Sequence, residues 1–366
     1  MSMITFETPA PARPFLRGMS LIELITVIFI GSLLLSMVFL VYTNSSRSLM
    51  RQDVVMEQLL NLRGGLASIS RDMRIAGNGF SMIGLKKQNQ LLQIYNKDDS
   101  GAATTWFRYP AVPGGPTTPG VLPVFAVDGD QSPDSITICS LAPDFASPLG
   151  ALDQDFHSGD TSLRLKPSLS VPTGLDPHEL LKPNDYLAIV PPTGDAVLVE
   201  AESDATDLET ISIKHLPAGG FPNGVGELPA GSEVFNVKSV TLHTYRIDES
   251  PATNETFLIM DTIDSSGDIM AEGIEDLQMA YCFGEDDPSN LSKYTNGIDF
   301  ASLDDTFLRT VRLVMVARTS KPDPYRNSFN RIAALNHTVL ASPDAYPRRY
   351  LETTVQLRNY FHARSK

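Results

Sequence analysis

An apolar run near the N-terminus sets the strongest constraint on how this chain can fold. Between residues 19 and 42 the only charged side chain is Glu23. A helix over this run would extend about 36 Å, enough to cross a hydrocarbon core of roughly 30 Å. The run is too long for the apolar part of an ordinary secretory signal, and no small-x-small cleavage site follows it. We therefore predict one transmembrane helix.

Basic residues beside this run predict its orientation. Arg13 and Arg17 precede it, and an excess of basic residues marks the cytoplasmic flank of a membrane helix. Residues 1–18 are therefore predicted to be cytoplasmic, with the bulk of the chain on the other side of the membrane. Arg47 and Arg51 lie beyond the run and reduce this bias.

A stretch without proline continues the helix past the membrane. Apolar residues recur in it at spacings of three and four, which is one stripe along an α-helix. The stripe consists of Val55, Leu59, Leu62, Leu66, Ile69 and Met73. Packing against a sheet is the favoured interpretation, and a coiled coil is the alternative. Gly64 and Gly65 interrupt the stretch and predict a bend or a close packing contact.

Beyond residue 85 the pattern changes to short β-like runs separated by turn clusters. The predicted strands are 91–95, 135–140, 162–165, 186–190, 196–200, 210–214, 234–246, 256–260, 277–283, 310–317 and 350–360. Residues 110–133 and 284–299 are predicted as surface loops. The expected fold class is α+β. A long N-terminal helix, half transmembrane and half amphipathic, packs on a β-rich, mainly antiparallel head with large insertions.

The start of the apolar run carries a processing motif. Met19 follows Gly18, and Glu23 is the fifth residue counted from Met19. The basic leader, the Gly, the Glu and the following span together resemble the prepilin peptidase site of the type IV pilin superfamily, which includes type II secretion pseudopilins. Met19 stands where that family more often has Phe. The resemblance implies cleavage between Gly18 and Met19 and N-methylation of the new amine.

The resemblance also gives Glu23 a role. A carboxylate at the centre of a spanning helix costs about 2–3 kcal/mol on insertion scales, so such residues are usually functional. Near the cytoplasmic interface the cost is smaller, and a merely interfacial Glu23 is the alternative interpretation. In a filament of this family the buried Glu pairs with the N-terminal amine of a neighbouring subunit, which relieves both charges. We therefore expect Glu23 to set the register of assembly.

Two further sets of residues resemble PilW-type minor pilins. Asp72, Arg74, Ala76 and Gly77 match the D-x-R-x-A-G signature that closes the helix, although the aromatic residue that usually follows is absent. Gly77 also suits the left-handed position after a helix, and Arg74 suits the negative end of the helix dipole. Near the C-terminus the matching segments are Gly-Ile-Glu-Asp-Leu-Gln at 273–278, the strand at 311–318 and Arg-Arg-Tyr at 348–350.

These motifs predict the organisation of the chain. The predicted parts are a leader at 1–18, a transmembrane half-helix at 19–43, an amphipathic half-helix at 44–77 and a pilin-like head at 78–366. Residues 100–230 are predicted to be a variable β-rich insertion in this head.

Common catalytic and metal-binding motifs are absent from the sequence. The sequence contains no G-x-S-x-G, H-E-x-x-H, P-loop or C-x-x-C motif, so we expect neither catalysis nor a cofactor. Asp128, Asp130 and Asp134 could offer oxygens to Ca²⁺, but they lack the Gly and Glu of an EF-hand loop. A solvated turn is the favoured interpretation. Cys139 and Cys282 form either a disulfide, worth about 4–5 kcal/mol by chain-entropy arguments, or two separate buried thiols.

The charge of the chain bears on its partners. A formal net charge of −14 argues against nucleic acid as a partner. The C-terminal stretch is locally basic, and the exposed face of a final strand is the favoured interpretation. Its basic residues are Arg348, Arg349, Arg358, Arg364 and Lys366.

The resemblance implies a minor type IV pilin that initiates pilus assembly and sits at the pilus tip, in adhesion and twitching motility. The implied location is the inner membrane, with a periplasmic head, and then the pilus. The implied partners are prepilin peptidase, other minor pilins, the major pilin, the inner-membrane assembly platform and a tip adhesin. The nearest alternative is a J-type minor pseudopilin of type II secretion. An alternative of another class is a membrane-anchored periplasmic adhesin or enzyme.

Overall fold

The structure is a computed structural model of the chain. It describes residues 20–80, 82–83, 92–97, 103–106, 124–127, 129, 132–143, 147–157, 159–167, 180–202, 209–214, 227–253, 255–263, 265, 267–283, 289–295, 308–319, 322, 335 and 344–357. The chain divides into two compact units, Met1–Met56 and Glu57–Lys366. We describe each unit by itself.

The first unit contains the N-terminal part of the helix α1 (Leu21–Ile75). The most apolar stretch of this helix has a mean hydropathy of 2.8, and none of that stretch is buried. Large apolar side chains such as Leu21, Phe29 and Phe39 are more than half exposed. Within the described ranges α1 is the one helix long and apolar enough to cross a membrane. An apolar surface of this size requires lipid or other protein around it.

The second unit consists of the C-terminal part of α1 and a head made of strands, so the predicted α+β class is confirmed. In chain order the strands are β1 (Leu92–Gln93), β2 (Tyr95–Lys97), β3 (Ala103–Trp106), β4 (Val124–Val127), β5 (Ser135–Pro143), β6 (Gly150–Leu152), β7 (Phe156–His157), β8 (Ser162–Pro167), β9 (Tyr186–Val190), β10 (Ala196–Glu200), β11 (Thr210–Ser212), β12 (Glu227–Leu228), β13 (Glu233–Glu249), β14 (Thr256–Thr262), β15 (Asp268–Glu272), β16 (Ile274–Phe283), β17 (Leu308–Arg318) and β18 (Arg348–Gln356). All pairs between these strands are antiparallel except β1 with β10.

The long strand β13 connects the two parts of the head. Its first residues pair with β9 on one side and with β6 on the other. Its later residues pair with β5 and β14. A separate three-stranded sheet has the order β16-β17-β18. β13 therefore pairs at its start with β6 and β9 and further along with β5 and β14.

Six strands close into a barrel, namely β6, β8, β9, β10, β11 and the start of β13. The ladder runs from β13 through β6, β8 and β11, and from β13 through β9 to β10. A bridge between Ala201 and Ile213 joins the ends of β10 and β11, and Lys214 N donates to Glu200 O over 2.8 Å. At the same seam Lys214 Nζ lies 2.6 Å from the buried Glu200 carboxylate. Closure removes the free strand edges that would otherwise pair with other chains.

The barrel has its own apolar core, separate from the main core of the head. Its members are Leu149, Leu152, Phe156, Leu163, Leu165, Leu181, Leu187, Ile189, Val197, Val199, Ala201, Ile211, Ile213, Leu228 and Val234. On β9 and β10 the alternate residues face the main core instead. These are Ala188, Val190, Ala196 and Leu198. Both strands are thus covered on two faces, which explains why their sequences are almost continuously apolar.

The main core lies between α1 and the sheets. Leu62, Leu66, Ile69 and Met73 of the predicted stripe are buried in this core, together with residues of β13, β14, β16 and β17. The first two members of the stripe, Val55 and Leu59, are only half-buried. From Leu62 onward the stripe therefore packs on the head, as the favoured interpretation predicted.

The two adjacent glycines of α1 have different surroundings. A Cβ atom added at Gly65 would lie 2.9 Å from Leu258 Cδ2 and 3.2 Å from Met315 Sδ. At Gly64 a Cβ atom would meet nothing within 4 Å. Gly65 therefore permits close approach of the helix to β14 and β17, while Gly64 faces away from them. The helix continues through both residues.

One predicted loop is wrong in part. Residues 110–133 were expected to form a surface loop, but β4 lies within them and pairs with β5. Val124 and Ala126 of β4 are buried, since alternate residues of this short apolar run face the core. The prediction missed this strand because Pro, Gly and Thr, which are typical of loops, lie on both sides of it. The described part of the other predicted loop contains a 3-10 turn, Leu291–Lys293.

Leucine substitutions at the two glycines test this packing. Gly65→Leu should lower the free energy of unfolding by about 1–3 kcal/mol, because its side chain displaces Leu258 and Met315. Gly64→Leu is the matched control and should be neutral or stabilising by up to about 1 kcal/mol, because helix propensity improves without a clash. Urea unfolding of the full chain in detergent micelles measures both. Equal effects would contradict the packing.

Candidate functional site

The first turn of α1 is held by a reciprocal cap between Ser20 and Glu23. Ser20 N donates to Glu23 Oε2 over 2.9 Å, and Glu23 N donates to Ser20 Oγ over 3.2 Å. This capping box satisfies backbone N–H groups that have no partner inside the helix, and it places a carboxylate at the positive end of the helix dipole. The Ser-x-x-Glu pattern was a sequence signal for this cap that our reading of Glu23 missed.

The predicted processing site adjoins this cap in the sequence. Gly18 and Met19 lie outside the described residues, so cleavage between them stays a prediction. The described chain begins at Ser20, immediately before α1.

The last turn of α1 is attached to β5 by backbone contacts. Gly77 has a φ of 72°, the left-handed conformation that favours glycine after a helix. Its N–H donates to Cys139 O over 3.0 Å, and Leu141 N donates to Asn78 O over 2.8 Å. Gly79 also has a positive φ, and a Cβ atom there would come within 2.5 Å of Leu141 O. The glycines therefore fix where the chain leaves the helix.

A buried carboxylate in this last turn bonds to the middle of β13. Asp72 is 3% exposed. Its Oδ2 accepts from Tyr245 Oη over 2.6 Å and lies 2.5 Å from His243 Nδ1. Arg71 Nε donates to its Oδ1 over 3.3 Å. The sequence motif indicated Asp72, but the two partners on β13 carried no recognisable signal because they are distant in sequence.

The electrostatics of this cluster favour an ionised Asp72. Burial raises the pKa of the carboxyl group, but hydrogen bonds from His243 and Tyr245 and the charge of the imidazole outweigh it, so the pKa is lowered from its ordinary value of 3.8. Burial and the bond to Asp72 raise the pKa of Tyr245. The aromatic rings of His243 and Tyr245 meet edge to face at 6.3 Å.

The chemistry available to this cluster is structural. Both carboxylate oxygens of Asp72 are engaged, one by β13 and one by Arg71. Within the described ranges no group of three or more His, Cys, Asp or Glu side chains is arranged to hold a metal ion. The exposed Arg74 takes no part in the cluster. The cluster thus attaches the end of α1 to the sheet.

A second buried ionic cluster brings together two of the C-terminal motif segments. The Arg348 side chain is 1% exposed and lies 2.5 Å from Glu275 and 2.6 Å from Asp344. It also donates to Tyr346 O over 3.0 Å. Burial lowers the pKa of Arg348, but the bonds to Asp344 and Glu275 outweigh it, and the net pKa is raised. We call these three charged residues the Arg348 cluster.

The backbone around this cluster joins β15, β17, β18 and α1. Gly273 has a φ of 70°, and a Cβ atom there would lie 2.8 Å from Arg318 O. Arg318 N donates to Gly273 O over 2.8 Å. Pro347 O accepts from Thr319 N and from Gln58 Nε2 of the helix. Gly273, Glu275 and Arg348 of the motif segments therefore lie close together in the fold.

The remaining predicted site residues lie elsewhere. Cys139 and Cys282 are both buried as free thiols in the structure, and the disulfide stays a prediction. Burial raises the pKa of the Cys139 thiol. Asp134 is buried and accepts from Met279 N over 2.7 Å and from Gly129 N over 3.0 Å, so backbone N–H groups engage both of its oxygens. Asp128 and Asp130 lie outside the described residues.

The described residues define a class of protein in which the C-terminal part of a long apolar helix packs on a mainly antiparallel head. Residues 244–359 match the family model described as Type IV Pilus-assembly protein W. This range holds β14 to β18 and the whole Arg348 cluster. Neither the curated proteins nor the solved structures yielded a match. The family match supports a role related to type IV pilus assembly.

The buried carboxylate of Asp72 predicts a dependence of stability on pH. Because the folded-state pKa of Asp72 is lowered, its stabilisation is present above the ordinary pKa of 3.8 and is lost as pH falls through the folded value. Asp72→Asn should lower the free energy of unfolding by about 1–3 kcal/mol at neutral pH. It should also flatten the loss of stability below pH 3.8. Urea titrations above and below this pH measure both effects.

The exposed Asp153 provides the control for that experiment. Asp153→Asn removes a surface ion pair with Lys166 and should leave the acid dependence unchanged. An unaltered acid dependence in Asp72→Asn would contradict the role given to the buried carboxylate.

The Arg348 cluster predicts a large effect from a single substitution. Arg348→Met leaves two carboxylates without their buried cation, so the free energy of unfolding should fall by about 3–5 kcal/mol. Arg312→Met is the matched control, because Arg312 pairs with the partly exposed Glu352 and should cost about 0–1 kcal/mol. Thermal unfolding followed by circular dichroism compares the two. A small effect at Arg348 would contradict the structural role of the cluster.

Proposed function

We propose that this protein is a minor type IV pilin that is cut by prepilin peptidase between Gly18 and Met19 and helps to initiate pilus assembly. The observation that carries the proposal is the pilus-assembly match over residues 244–359, in a chain whose helix is able to cross a membrane. In this proposal the protein first resides in the inner membrane, with its head in the periplasm. It then moves into the pilus.

The cap at the start of α1 suggests how Glu23 acts in assembly. In the single chain, Glu23 Oε2 accepts from the N–H of its own Ser20. The other oxygen, Oε1, is then available to the methylated amine on Met19 of a neighbouring subunit. Pairing two charges in a medium of low dielectric constant is favourable only when both are fully compensated. The cap thus holds the carboxylate at a fixed position for that neighbour.

The exposed apolar part of α1 supports transfer from lipid to a helical bundle. Its side chains need an apolar environment along the whole length from Leu21 to Tyr42. In the membrane lipid supplies it, and in the filament the corresponding helices of other pilins supply it. Within this proposal the partners are other minor pilins, the major pilin and the inner-membrane assembly platform.

The inserted barrel supports a position at the pilus tip. It adds a second core to the head and makes the head large for a subunit repeated along a closely packed shaft. At the tip a head of this size has space on one side, and it can contact a tip adhesin in adhesion and twitching motility. We propose no catalytic role and no cofactor. A minor pseudopilin of type II secretion would share the N-terminal motif, but the family match favours the pilus.

Three substitutions in the cap separate its two roles. Glu23→Gln retains an acceptor for Ser20 N–H but loses the charge, whereas Ser20→Ala loses only the hydroxyl acceptor. We expect Glu23→Gln and Glu23→Ala to insert and to be cleaved but to be absent from sheared filaments. Ser20→Ala should still be incorporated. Glu57→Ala, an exposed carboxylate on the same helix, is the matched control.

Immunoblots of the membrane and of sheared filaments measure incorporation of each variant. Normal incorporation of Glu23→Gln would contradict the charge pairing. If Ser20→Ala is lost from filaments to the same degree as Glu23→Gln, then loss of the cap alone accounts for the failure to assemble.

A further inference from the structure

We propose that the outer face of α1 in the second unit docks an acidic helix of another subunit. This inference rests on the proposed function and goes beyond it, because it names the chemistry of the partner. We use the name outer face for six residues of α1. They are Leu60, Arg63, Gly64, Ala67, Arg71 and Arg74.

These residues lie on the side of the helix that points away from the head. They recur at spacings of three and four, which places them on one side of an α-helix. The opposite side contains the residues that pack on the head. Those residues are Gln58, Leu62, Gly65, Leu66, Ile69, Ser70, Asp72 and Met73. All six residues of the outer face are exposed.

The shape of the outer face suits a second helix. Leu60 is 63% exposed and gives the outer face one large apolar side chain. Gly64 and Ala67 follow it by about one and two turns, and the space beside Gly64 is open. A large apolar side chain beside two small residues forms a ridge and a groove, the arrangement by which helices pack closely.

The charge of the outer face specifies the partner. Arg63, Arg71 and Arg74 give it three positive charges, and Glu57 lies only at its N-terminal border. The rest of the protein is strongly acidic, since the formal net charge is −14. Arg71 contacts Asp72, yet its side chain is 74% exposed. A basic strip on an acidic protein favours carboxylates and disfavours another basic surface.

The same charges discriminate between occupants. Two copies of this chain that met through their outer faces would bring arginines against arginines, which is unfavourable. Nucleic acid would satisfy the arginines but would leave Leu60 in water, because phosphate contacts use no apolar surface. A helix of a different subunit with Asp or Glu beside small apolar residues satisfies both requirements.

Photo-cross-linking in piliated cells tests this inference on the full chain. A benzoylphenylalanine residue in place of Ala67 lies at the middle of the outer face, and one in place of Thr161 on the barrel is the control position. After irradiation, mass spectrometry identifies the peptide that is cross-linked to the benzoylphenylalanine in place of Ala67. We expect one subunit, joined through a helical peptide with a net negative charge.

Charge variants then test the arginines. The pair Arg63→Glu and Arg74→Glu should lower the yield of that product about tenfold or more, and the neutral pair Arg63→Gln and Arg74→Gln should lower it less. The pair Arg164→Glu and Lys166→Glu on the barrel makes the same change in net charge and should leave the yield unchanged. Circular dichroism of each variant checks that the head is folded.

Several results would overturn the inference. The inference fails if the cross-linked product contains a second copy of this chain, if nuclease removes the product, or if no product forms. It also fails if the cross-linked peptide is neutral or basic, or if the arginine variants do not alter the yield of the product. If the cleaved chain is present in sheared filaments but forms no product, only the docking inference fails. If the chain is neither cleaved nor found in filaments, the proposed function itself fails.

Discussion

The C-terminal part of α1 packs on the sheets of the head and so joins the helix to the main core. The helix buries Leu62, Leu66, Ile69 and Met73, and Gly65 lets it approach the strands closely. At its last turn the ionised Asp72 bonds to two side chains of β13. The first residues of the same strand form part of the barrel. A buried carboxylate is unfavourable without such partners, so the cluster specifies one position of the helix on the sheet.

The Arg348 cluster complements this contact from the C-terminal side. It holds the start of β18 against the start of β16, and Pro347 beside it accepts a hydrogen bond from Gln58 of the helix. The match to the pilus-assembly family covers the cluster and β14 to β18 but not the barrel. The described chain therefore combines a segment that matches a pilus-assembly family with a barrel that has its own core.

The sequence predicted elements with strong local patterns and missed contacts between distant residues. The helix, β9 and β10 were predicted well, because the first has a sustained period and the other two are continuous apolar runs. The strand β4 was missed because Pro and Gly surround it. Barrel closure through Ala201 and Ile213 and the pairing of Asp72 with His243 depend on residues far apart in the chain. Periodicity carries no information about such contacts.

We propose that this chain enters a pilus after its leader is removed. The most direct measurement is the N-terminal sequence and mass of the protein recovered from sheared, purified filaments. We expect a chain that begins at Met19 with a methylated amine. A chain that begins at Met1, or the absence of the protein from filaments that are otherwise intact, would contradict it.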